Sequence, residues 1–195
     1  MHRTRHAAAA LSLLLLVAPA QAAEPASPAP DAGAPPQRVP ARPSISASSP
    51  ITATGTFVRT GEKTAFFAGS FSGTFGVKEP KGAGAALDGA AVTCAGIFHI
   101  DLSNEFQEAE GQCAMTAKSG DQVFADWECG GDKAKGCKGS FEISSGSGAL
   151  QGIDGGGDFL LPKGVAGLAN ASLGKSVTGA DAGTAEWLKL SLHMP

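Results

Sequence analysis

Beyond residue 50 the chain alternates apolar and polar residues with a period of two. ITATGTFVRT, from Ile51, alternates throughout, and KTAFFAGSFSGTFGVK sets Phe67, Phe71 and Phe75 four apart, on one face of a long strand. A spacing of four also fits a helix, but Gly69, Ser70, Ser72 and Gly73 make a helix costly there. Turn signals recur at GEK (61–63), EPKGAGAALDG (79–89), LSN (102–104), KSGD (118–121), GGDKAKG (130–136) and SSGSG (144–148). The runs between them predict strands at 51–59, 64–77, 91–101, 106–117, 122–129, 138–144, 149–159 and 185–193. The Gly- and Ala-rich stretch 163–182 leaves room for one short helix or turn. Sequential hairpins of this number predict an all-β fold, a small closed or nearly closed antiparallel up-and-down barrel of about eight strands.

The start of the chain breaks this pattern. MHRTRHAAAALSLLLLVAPAQAAEP has a basic opening, an apolar run from Ala7 to Pro19 and small residues at Ala20, Ala22 and Ala23, the pattern of a secretory signal peptide over 1–23. The apolar run falls short of the roughly 20 residues that a transmembrane helix needs. Residues 24–50 are rich in Pro, Ala and Ser, with only Val39 and Ile45 as larger aliphatics, and read as a disordered linker. The barrel domain is then 51–195, about 145 residues, enough for one real core. The sequence therefore predicts an exported protein, periplasmic or extracellular after cleavage, with no transmembrane segment. A formal net charge of -3 provides no basic field for nucleic acid or an anionic membrane.

Four cysteines, Cys94, Cys113, Cys129 and Cys137, fall inside this domain, and an exported chain meets oxidising conditions. Three pairings are possible. A hairpin of VTCAGIFHIDL and EFQEAEGQCAM about Ser103-Asn104 sets Cys94 opposite Cys113, Val92 opposite Met115 and Phe98 opposite Ala109. That places both sulfurs and the apolar residues on one face. By elimination Cys129 joins Cys137. A zinc site is the rival, but there is no C-x-x-C pair and His99 points away from Cys94, so no metal and no cofactor is expected. The other face of the hairpin sets His99 across from Glu108 and Ile97 across from Glu110. His99 and Glu108 form the one ionisable pair of interest. Without a nucleophile or oxyanion donors nearby they read as a solvated surface pair rather than catalytic residues.

Other motifs are weaker. ANASLGKS (169–176) fits a loose phosphate-loop pattern but lacks the apolar strand before it and the helix after it that the chemistry requires. Asn170-Ala171-Ser172 matches a glycosylation acceptor, which matters only in a eukaryotic secretory host. GGGDFL matches one calcium-binding nonapeptide, and a single copy cannot build a site shared between stacked turns, so Asp154 and Asp158 read as solvent-facing or turn residues. GSGALQGIDGGGD (146–158) reads as a turn and a strand whose glycines allow sharp bending during barrel closure.

The run GSGALQGIDGGG resembles the glycine-rich hairpin of the allene oxide cyclase and dirigent-like, calycin-like barrels, with Leu150 where an aromatic often stands. DQVFADWECGGDKAKGCKGSFEI and the terminal AEWLKLSLHMP resemble the centre and last strand of an uncharacterised family of exported bacterial proteins that share this hairpin. The resemblance implies a barrel that confines an apolar molecule or steers radical coupling, although no catalytic residue of those groups finds a match here. Three function classes follow. The first is an exported barrel binding a small apolar ligand through Phe67, Phe71, Phe75, Phe98, Val123 and Trp127, all equally suited to an ordinary core. The second is a non-catalytic envelope scaffold that uses outward residues such as Ile97 and Phe106. The third is a cyclase or isomerase acting by confinement, which needs an ionisable group inside the barrel. Ligand identity and oligomeric state have no signature in the residues.

Overall fold

The computed structural model describes residues 44–194; the expected leader and the linker up to residue 43 lie outside the described residues. The strands are β1 (Ser44–Arg59), β2 (Thr64–Val77), β3 (Ala90–Asp101), β4 (Phe106–Thr116), β5 (Gln122–Gly131), β6 (Cys137–Gly146), β7 (Asp154–Leu161) and β8 (Ser176–His193). They pair antiparallel in chain order, and β8 pairs back on β1 to close an eight-stranded barrel. Closure leaves no sheet edge among them.

Alternation carries through to burial. On β2, Ala65, Phe67, Phe71 and Phe75 are buried, while Ser70, Ser72 and Thr74 between them are exposed. On β3 the buried series is Ala90, Val92, Cys94, Phe98 and Ile100. The predicted β3–β4 register holds, with Cys94 opposite Cys113, Val92 opposite Met115 and Phe98 opposite Ala109. Both disulfides, Cys94–Cys113 and Cys129–Cys137, are formed. The connection is longer than the expected dipeptide, because Asp101 pairs with Phe106 and the loop runs from Leu102 to Glu105. Asp101 Oδ1 accepts the Ser103 N–H at 2.8 Å, and Asn104 Oδ1 accepts the Phe106 N–H at 2.9 Å. These side chains take up backbone donors that the wider turn leaves free.

Three expected boundaries change. Ser44–Pro50, assigned to the linker by composition, form the first part of β1 and pair with β8 through Ser44 and Ser191, Ala47 and Trp187, and Ser49 and Ala185. Their own apolarity is low, and they are held as strand by neighbours on both sides. At the other end β8 begins at Ser176 rather than 185, after a short helix, and a run of small residues conceals its first half. The predicted strand 149–159 is also displaced. β6 continues to Gly146, a 3-10 turn covers Gly148–Leu150, and β7 starts only at Asp154. Gly148 and Gly152 have φ of 57° and 80°, so these glycines serve turn geometry that an L side chain rarely adopts.

Gly155, Gly156 and Gly157 of the same stretch lie in β7, where a Cβ on Gly156 would stand 2.8 Å from Phe141 O, and a second set of glycines shapes the wall elsewhere. Gly55, Gly69, Gly96 and Gly111 lie opposite one another across β1 to β4, and the row continues to Trp127 on β5. All four occupy positions whose neighbours two residues away face inward. A Cβ on Gly111 would stand 2.7 Å from Trp127 Cζ2, and one on Gly55 2.6 Å from Phe67 Cζ. The rings of Phe67 and Trp127 thus lie over bare backbone where the sheet curls, an arrangement that lets two large rings share a narrow barrel.

Short connections close both ends. After β2, α1 (Ala83–Leu87) buries Leu87, and Leu150 and Ile153 of the β6–β7 connection are buried at the same end. At the opposite end the β7–β8 connection forms α2 (Ala166–Ser172), whose Ala166 and Ala169 are buried with Val165 just before it. Gln107, fully buried at the start of β4, fixes this end: its Oε1 accepts the N–H groups of Val165 and Ala166, each at 3.2 Å.

Candidate ligand cavity inside the barrel

The six inward residues predicted for ligand contact, Phe67, Phe71, Phe75, Phe98, Val123 and Trp127, are all buried core side chains. Phe67, Phe71, Phe98 and Trp127 form a connected aromatic cluster, with ring centroids 5.4 Å apart for Phe71 and Phe98 and 5.8 Å for Phe98 and Trp127. Each such ring contributes about 1.5–3 kcal/mol by leaving water. A second cluster forms around Trp187, which packs on Phe75 at 5.2 Å, on Phe141 at 5.5 Å and, stacked, on Phe159 at 6.2 Å.

A cavity of about 50 Å³ remains between the clusters. Phe71, Phe98 and Trp127 line it, whereas Phe67, Phe75 and Val123 pack away from it. Its other walls include Met115, Phe141, Phe159, Trp187 and the Cys94–Cys113 disulfide. No wall residue is ionisable, since the cysteines there are disulfide-bonded. Sequence reading missed Phe141, Phe159 and Trp187 as cavity residues. The period of two marks them as inward, but which inward positions meet across a barrel depends on the tilt of its strands.

Two polar atoms in this interior are unusual. The indole Nε1–H groups of Trp127 and Trp187 are buried with no acceptor among the described residues. An unpaired buried donor costs about 1–3 kcal/mol. Ser49 Oγ and Gln107 Nε2 are likewise buried and unpaired, but neither residue lies on the cavity wall.

The ionisable residues face out. His99 and Glu108 are directly opposite, both exposed, and the His99 ring packs edge-on against Phe66 at 5.4 Å. Beside them, a groove of about 820 Å³ crosses the outer faces of β2 to β6 and carries Glu110, Asp126, Glu128 and Glu142. Glu110 lies opposite Glu128, and Asp126 opposite Glu142, two like-charge pairs that disfavour the sheet. Gln112 Nε2 donates to Asp126 Oδ1 at 3.0 Å. Among the described residues, no group of three or more His, Cys, Asp or Glu side chains is arranged to hold a metal ion.

Two carboxylates, Asp101 at the end of β3 and Asp181 within β8, have lowered pKa values. Hydrogen bonds from the Ser103 hydroxyl and N–H hold Asp101 below its ordinary value, and Lys163, with the Gly183 N–H, does the same for Asp181. The phosphate-loop pattern is not built as such a loop: α2 precedes its Gly174 and Lys175, and a strand rather than a helix follows. Asp154 and Asp158 are exposed. No helix among the described residues is long and apolar enough to cross a membrane. Comparison of the chain with protein-family models, with curated proteins and with solved structures finds no match.

Proposed function

We propose that the chain is an exported, non-catalytic barrel that binds a small, largely apolar molecule in its interior. The carrying observation is the cavity beside Phe159, walled by aromatic, aliphatic, thioether and disulfide side chains in an otherwise filled core. Its size limits the ligand. Pockets for drug-sized molecules measure roughly 300–1,000 Å³, so about 50 Å³ admits a molecule of a few heavy atoms. The wall chemistry favours binding over reaction, because His99, Glu108 and Glu110 lie outside and supply no acid or base to the interior. Export is supported by the leader-like pattern of residues 1–23 and by two disulfides, which persist under oxidising conditions. The resemblance to allene oxide cyclase and dirigent-like barrels belongs to the same reading, as those barrels confine apolar molecules.

A second reading, an envelope scaffold acting through its exterior, draws on the outer groove. Its two like-charge pairs work against the sheet and so suit a role in contact with another molecule. Native mass spectrometry of the protein from its own exported fraction separates the two. A bound small molecule released on denaturation supports interior binding; a bare folded mass favours the scaffold.

A further inference from the structure

An interior chamber in a closed barrel needs a way in, and the two ends of this barrel are closed differently. At the end that holds α1, the closing side chains Leu87, Leu150 and Ile153 are large and no more than 2% exposed. At the opposite end the β7–β8 connection covers the interior with smaller groups. Among the described residues its buried side chains are Val165, Ala166 and Ala169, while Leu168 and Leu173 are only half-buried. α2 has seven residues, too few to hold a helix without packing, and no side chain caps its N-terminus. Lifting this segment exposes little apolar surface, which is the property of elements that open locally. Leu161, on the cavity wall, is the last residue of β7 and lies three positions before Gly164, so the connection begins at the cavity itself.

What holds the connection down is polar and sparse. Gln107 is fully buried, and its Oε1 accepts the N–H groups of Val165 and Ala166. Its Nε2 is buried with no acceptor among the described residues, so the closed position carries an unpaired donor that water reaches once the connection lifts. The second hold lies outside, where Lys163 Nζ donates to Asp181 Oδ2 at 2.6 Å in an exposed ion pair of the kind that contributes little. Gly164 and Gly174 bracket the segment with φ of 59° and 73°, and a Cβ on Gly164 would run into the Gln107 amide. Hinges of moving segments are a few such loop positions, often small residues. We propose that residues 162–175 are the gate of the barrel, hinged at Gly164 and Gly174 and latched by Gln107, through which a small apolar molecule passes between solvent and the interior cavity. The proposal rests on the proposed interior binding and adds the route by which the ligand enters.

Xenon, the probe, is a single apolar atom, and ¹²⁹Xe exchange NMR on the full-length protein measures how fast it enters and leaves. Amide hydrogen exchange on the same samples measures the opening of 162–175. Gln107→Leu removes the latch, and Asp181→Asn removes the outer tether at an exposed site where folding is not at stake. Xenon exchange is expected to quicken about tenfold or more in Gln107→Leu and about two- to threefold in Asp181→Asn. Both changes should run in step with amide exchange of 162–175 and ahead of that of β2 and β3. Asp88→Ala loosens the opposite end, where Asp88 Oδ1 accepts the Val77 N–H at 3.0 Å, and should leave xenon exchange unchanged. If Gln107→Leu does not fold, Asp181→Asn against Asp88→Ala decides. Xenon exchange that keeps the wild-type rate in the gate variants, or quickens more in Asp88→Ala, overturns the gate while interior binding stands. A wild-type protein that takes up no xenon removes both the gate and the proposed interior binding.

Discussion

Gly96→Ala tests how the barrel accommodates its large rings. Gly96 is in the glycine row of β3, and an added Cβ would sit against Trp127 Cζ2 far inside contact distance, with Glu110 O at 2.8 Å and Trp127 Cη2 at 3.0 Å. Carbon atoms settle at about 3.5–4.0 Å, so the indole must move by about 1 Å or the strands must part. Overpacking of this kind costs about 1–3 kcal/mol, which for a domain of this length lowers Tm by roughly 2–4 °C per kcal/mol. Thermal unfolding by circular dichroism gives the cost, and tryptophan emission reports the displaced ring. Trp127→Phe removes the atoms nearest the new methyl, so in that background Gly96→Ala should cost about 1 kcal/mol less. Gly111→Ala supplies the control. Its Cβ would also meet Trp127 Cζ2 at 2.7 Å, but its closest contact is the Ala95 backbone carbonyl, with Gly96 Cα at 2.8 Å, and Trp127→Phe leaves both in place, so a larger share of its cost should persist than at Gly96. Unchanged Tm and emission for Gly96→Ala, or relief at Gly111 but not at Gly96, refutes the packing argument.

The remaining predictions concern staples, an end closure and pH. The Cys94–Cys113 and Cys129–Cys137 bridges span sequence separations of 19 and 8; loop entropy gives about 3 and about 2.5 kcal/mol. Urea unfolding of the two paired Cys→Ala variants should therefore rank the first as more damaging, and the reverse order would contradict the loop-length account. Gln107→Leu leaves the Val165 and Ala166 N–H groups without their acceptor. It should destabilise by about 2–4 kcal/mol and speed hydrogen exchange in residues 162–175 more than in β4. Asp181 has a depressed pKa, so its contribution is present above the ordinary carboxylate pKa and fades as pH falls through the lower folded value. Asp181→Asn should lower Tm slightly at pH 7, with the difference closing below about pH 4; a gap that widens in acid would contradict that sign.

Much of the fold was legible because barrel strands obey a local rule. Phe67, Phe71 and Phe75 declare an inward face through spacing alone, and setting Cys94 opposite Cys113 is enough to give the β3–β4 register. That register also places Gln107 inward, three alternations before Cys113, so a buried polar anchor was readable there and was overlooked. Ser44–Pro50 misled because small and polar residues make a strand only when two neighbouring strands hold them. The 146–158 stretch was read in outline, a turn and then a strand, but its division was not: Gly148 and Gly152 serve the turn with positive φ, Gly155, Gly156 and Gly157 lie in β7 beside a register shift, and a second glycine row at Gly55, Gly69, Gly96 and Gly111 went unread. The cavity was the least legible feature. It depends on Trp187 and Phe159 meeting Trp127 across the barrel, a relation of residues far apart in sequence that no local pattern carries.

Xenon binding tests the central claim, an apolar chamber inside a closed barrel, most directly. Dry apolar cavities take up xenon, whereas filled cores and hydrated sites do not. Crystals pressurised with xenon should show one interior site against Phe159, between Trp127 and Trp187, with little movement of the strands. An interior without xenon, with ordered water against both indoles or rings closed over the space, would contradict the account.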